Sequence, residues 1–75
     1  MPTTKIIDQD ARKLVNALYK ATDGRPMEWR MIIGRSARQA AAVDHAVEKG
    51  WILVEEGRNL CLTDEGAALA RTTLS

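Results

Sequence analysis

The stretch that most constrains this chain is Ser36 to Thr63, SARQAAAVDHAVEKGWILVEEGRNLCLT, which reads as a helix running directly into a β-hairpin. Ser36 is suited to cap the helix, because its hydroxyl accepts from the free N–H groups of the first turn. Ala40, Val43 and Val47 recur at i, i+3 and i+7 and so share one helical face. Gly50 ends the helix, since glycine enters the left-handed region without a steric penalty. Trp51 to Val54 is apolar and β-rich, and the first hairpin strand reads as Trp51 to Glu55. Gly57, Arg58 and Asn59 make a turn, and Arg58 to Leu62 return. Thr63 or Asp64 then caps one more helix.

The rest of the chain must fit around that unit. With 75 residues there is room for one domain, spanning 1–75. Residues 1–8 read as a flexible polar tail. Asp8 or Asp10 caps a first helix with the stripe Ala11, Leu14, Val15 and Leu18, which stops near Thr22 at Asp23-Gly24. Pro26 holds Arg25 in extended backbone, so Arg25-Pro26-Met27 reads as a short strand. Glu28 to Ile33 reads as a short second helix burying Trp29, Ile32 and Ile33, with Gly34-Arg35 as the turn into the third. The expected core joins Trp29, Ile32, Val43, Val47, Ile52 and Leu62 to Leu14 and Leu18. On the hairpin, Ile52, Val54, Leu60 and Leu62 share the inner face.

Helix, then Glu48-Lys49-Gly50-Trp51-Ile52, then a hairpin closing on Leu62-Thr63-Asp64-Glu65-Gly66, resembles a winged helix-turn-helix domain. It is similar to bacterial transcription regulators of the MarR and PadR kind. The resemblance covers Asp10 to Leu74 and implies an α+β fold ordered helix, short strand, helix, helix, β-hairpin wing, helix.

The resemblance implies sequence-specific binding of double-stranded DNA in transcription regulation, with the third helix in the major groove. Side chains near its N-terminus would reach base edges: Arg38 and Gln39, then Ala42 and His45. Arginine forks onto guanine and glutamine onto adenine. Ser36, at the start of that helix, is counted with them. Arg30 and Arg35 precede it and suit phosphates, which position a protein without reading sequence. Arg58 matches the wing position that touches the minor groove or its phosphates. Glu55 and Glu56 beside it depart from that pattern, because carboxylates there repel a duplex unless they point away.

Composition narrows the function classes. Cys61 is the only cysteine and His45 the only histidine, so no metal site, disulfide or catalytic triad can be assembled from them. The expectation is a protein that is not an enzyme and needs no cofactor. No apolar run approaches a membrane span and no leader is visible, so the expectation is cytoplasmic. The net charge of +1 is low for a nucleic-acid binder. It keeps a second reading open, an adaptor winged helix that contacts proteins and not DNA. The partners to expect are therefore double-stranded DNA, with either a second copy or another protein beside it.

Overall fold

The computed structural model describes residues 4–31, 36–56 and 58–74. Among these the chain is a small α+β domain of three helices and one three-stranded antiparallel sheet. Helix α1 spans Thr4–Ala21, strand β1 Arg30–Met31, helix α2 Ala37–Glu48, strand β2 Ile52–Glu55, strand β3 Asn59–Leu62 and helix α3 Asp64–Leu74. No described helix is long and apolar enough to cross a membrane.

Helix α1 begins earlier than its aspartates predict. Residues 4–8, read as tail, are helical, and neither Asp8 nor Asp10 is a cap. Both are spent on tertiary contacts described below. The helix stops at Thr22, whose hydroxyl donates back to the Leu18 carbonyl at 2.8 Å. The amide of Gly24 then closes the end on the Tyr19 carbonyl at 2.8 Å.

The largest correction falls on residues 25–31. Arg25-Pro26-Met27 is not the strand; it turns, with Met27 at φ 65°. The strand lies later, at Arg30–Met31, inside the segment read as a second helix. Two causes act together. A six-residue helix is hard to nucleate, and Trp29-Arg30-Met31 meets the open edge of β3, which offers ladder partners. Arg30 pairs with Leu60 and Met31 with Asn59, and the Met27 amide adds a bond to the Leu62 carbonyl at 2.8 Å. Trp29, expected in the core, is 40% exposed. Ile32, Ile33, Gly34 and Arg35 lie outside the described residues, as does Gly57 of the hairpin turn.

Helix α2 keeps its predicted ends. The Ser36 hydroxyl accepts from the Gln39 amide at 3.1 Å. At the other end Gly50, at φ 81°, bonds the Val47 carbonyl at 3.0 Å, and Trp51 bonds that of Ala46 at 2.9 Å. These two bonds are the glycine-terminated Schellman arrangement. They turn the chain straight into β2, which pairs with β3 in the register Ile52↔Leu62, Leu53↔Cys61, Val54↔Leu60 and Glu55↔Asn59. The sheet order is β1-β3-β2.

The core lies between the helices and the inner face of the sheet. It contains Ala11, Val15 and Leu18 of α1, Ala42, Val43 and Ala46 of α2, Ile52, Leu60 and Leu62, and Ala67 and Ala70 of α3. Val54 shares that inner face by register but stands partly open near the hairpin end. Leu14 packs against the cluster half-buried. Val47, expected inside, is 40% exposed. The buried side of α2 is Ala42, Val43 and Ala46, so the helix is turned from the predicted phase. Alanines cause this: Ala11, Ala42 and Ala46 are at most 3% exposed and let α1 and α2 approach closely, where a larger residue would hold them apart.

Candidate nucleic-acid interface

The rotation of α2 decides which of its side chains reach solvent. Ala37, Arg38, Asp44, Val47, Glu48 and Lys49 are exposed, while Gln39, Ala40 and Ala41 are half-buried. Ala42, read as a contact residue, is a core residue, 3% exposed. His45 also turns inward: its Nε2 lies 3.0 Å from Asp8 Oδ1, and its ring stands edge-on to Trp51 at 6.1 Å. The outward face of the helix therefore carries small residues and Arg38 towards its N-terminus, and carboxylates towards its C-terminus.

Arg38 is held from α1. Its Nε donates to Asp10 Oδ2 at 2.5 Å and its Nη2 to Asp10 Oδ1 at 3.1 Å, a bidentate pair. Sequence reading had no access to this contact, because the partners are 28 positions apart. Ser36 is exposed, with its hydroxyl engaged as the cap. Ser36, Arg38, Gln39 and Ala42 join Asp10, Lys13 and Leu14 around an open groove of about 330 Å³ between α1 and the start of α2.

The remaining cations are dispersed. Arg30, on edge strand β1, donates to the Ala21 carbonyl at 2.9 Å and to Glu28 Oε1 at 3.2 Å. Arg58 is exposed in the hairpin turn and has no ion-pair partner among the described residues. Glu55 and Glu56 beside it are exposed as well. Arg35 lies outside the described residues.

A second polar cluster fixes α1 on the start of the hairpin. Asp8 accepts from Arg12 Nε at 2.8 Å and faces His45, and the Arg12 guanidinium lies 5.2 Å from the Trp51 ring centre. Hydrogen bonds from Arg12, then from His45, hold the Asp8 carboxyl below its ordinary value of 3.8. The bond from Arg38 does the same for Asp10, and Asp10 in turn raises the Arg38 guanidinium. Carboxyls lowered in the folded state add stability above their unfolded value and lose it as pH falls through the folded one. A double Asp8→Asn, Asp10→Asn variant should therefore unfold at lower urea than the native chain at ~pH 7. The gap should narrow at ~pH 2.5, as pH falls below the unfolded value towards the lowered folded ones and the two carboxylates take up protons. An equal gap at both pH values would show that the two carboxylates do not act through their charge.

The outer face of the sheet was not anticipated as a feature. Met31 and Leu53 project there, opposite the core, at 62% and 40% exposure, with Cys61 buried between the strands. Met27 and Trp29 are exposed just before β1. The signal was available in the period-2 alternation of Trp29-Arg30-Met31, which reads as a strand once the short helix is set aside.

Comparison of the chain with protein families, curated proteins and solved structures finds no match.

Proposed function

We propose that this chain is a winged-helix domain that binds double-stranded DNA in transcription control, with the N-terminal turns of α2 in the major groove and the hairpin alongside. The observation that carries the reading is Arg38. It stands in the first turn of the helix that precedes the hairpin, exposed, with its guanidinium held in a fixed orientation by Asp10. First-turn side chains of such a helix are the ones that reach base edges. Ala37 beside it is small and exposed, which permits close approach of the helix to the duplex. The β1-β3-β2 sheet order and the exposed Arg58 in the hairpin turn support the same docking. The site is smaller than the sequence implies: Ala42 and His45 leave it, and Arg30 enters only by exchanging Glu28 for a phosphate.

Fluorescence anisotropy on duplexes between about 50 and 200 mM salt tests this, because phosphate contacts show strongly over that range. Arg38→Ala should cost about 1–3 kcal/mol on a preferred sequence. Arg58→Ala should weaken all sequences alike and lower the salt slope by about one. If the native protein binds no duplex at about 50 mM salt, even at high-micromolar protein, the reading fails.

The alternative reading, an adaptor that docks proteins, is favoured by the exposed Met27, Trp29, Met31 and Leu53 and by the acidic side of α2 at Asp44 and Glu48. Aromatic residues and methionine are enriched in interface cores. It predicts that Met31→Lys abolishes partner capture while leaving the fold intact, and it takes over if no duplex binds.

A further inference from the structure

We propose that Asp10 is a positioning residue that fixes the Arg38 guanidinium so that its opposite edge reads guanine. The inference rests on the DNA reading of α2 and adds to it a base identity and a second residue. Arginine has five N–H donors in a rigid planar fork. Asp10 takes the Nε–H and one Nη2–H. The far edge of the plane is left with one N–H from each Nη, parallel and a hydrogen-bond spacing apart. Guanine presents O6 and N7 in the major groove as two adjacent acceptors, and that edge matches them.

The pair is built as an anchor and a probe. The Asp10 side chain is 16% exposed and the Arg38 side chain 64%. The anchor cannot drift, because the next residue, Ala11, is fully buried in the core and holds α1 in place. A free arginine at this position would swing between bases and phosphates. A pinned one has less rotamer freedom left to lose on binding. The carboxylate also neutralises the charge that would otherwise attract any phosphate, so the pair contributes to discrimination more than to sequence-independent attraction. As a surface ion pair it adds little to folding stability.

The test is selection from a randomised duplex pool, read by sequencing, with the native chain, Asp10→Asn, Arg38→Ala and Asp8→Asn. Circular dichroism checks that each is folded. The native chain should enrich a guanine at one position by about tenfold or more, the range a bidentate contact gives. Arg38→Ala and Asp10→Asn should both lose that preference at the same position. Asp10→Asn should still bind duplex, and with a steeper salt dependence. Asp8→Asn, on the same helix but away from Arg38, should keep the preference. Retention of the guanine by Asp10→Asn overturns the proposal and leaves the DNA reading standing, as does native binding with no base preference. Absence of any duplex binding by the native chain overturns both.

Discussion

Gly66→Ala should unfold this domain or detach α3, although alanine is the better helix former by about 1 kcal/mol. A Cβ built on Gly66 would stand 2.0 Å from the Trp51 carbonyl oxygen and 2.9 Å from its carbon, with a Leu62 methyl at 3.1 Å. Backbone cannot yield as a side-chain tip can, so the first turn of α3 has to lift. Lifting breaks a knot of bonds made there. The Thr63 hydroxyl accepts from the Gly66 amide at 3.0 Å and donates to the Gly50 carbonyl at 2.5 Å, while the Thr63 amide bonds the Trp51 carbonyl at 3.1 Å. It also draws Ala67 and Ala70 out of the core. Overpacking against a fixed backbone costs about 3 kcal/mol or more. A domain of this size has on the order of 5 kcal/mol in all. Urea unfolding followed by circular dichroism measures it, with Ala68→Gly on the exposed side of α3 as the control at about 1 kcal/mol. A Gly66→Ala midpoint at or above the native one would mean that α3 does not abut Trp51.

The same knot shows why one part of the chain was legible and another was not. Ser36, Gly50 and Thr63 act through bonds to backbone a few residues away or across one tight hairpin, so type and spacing reveal them. The hairpin follows for a similar reason, since its register is set by a short turn. Residues 28–31 were misread because their conformation is decided by a partner: the open edge of β3 recruits Arg30 and Met31, and no local pattern announces that edge. Asp10 was misread as a cap for the converse reason. A carboxylate near a helix start satisfies the local rule, and its actual partner, Arg38, becomes visible only when α1 and α2 are packed. Where Asp44 and Glu48 stand relative to Arg38 likewise depends on the phase of the helix, which is set by packing.

That phase can be measured directly by comparing two truncations. Ile52→Ala should cost about 2–5 kcal/mol, the range for removing a large aliphatic group from a packed core. Ile52 is fully buried, opposite Leu62 on the inner face and adjoining the α2 alanines. The small residues around it on α1 and α2 have no freedom to collapse into the gap, because their backbones already meet closely. Val47→Ala should stay within about 0.5 kcal/mol, the usual span for surface positions. Val47 is 40% exposed, and the alanine gains helix propensity where the valine gave little burial. A helix with Val47 inside would reverse the order, since Val47→Ala would then open a cavity and cost about 1–3 kcal/mol. It would also bring His45 and Ala42 round to solvent and carry Arg38 away from Asp10. Urea midpoints for the two variants therefore test the packing and the candidate interface together: a large loss at Val47 would place a different set of side chains on the outward face of α2.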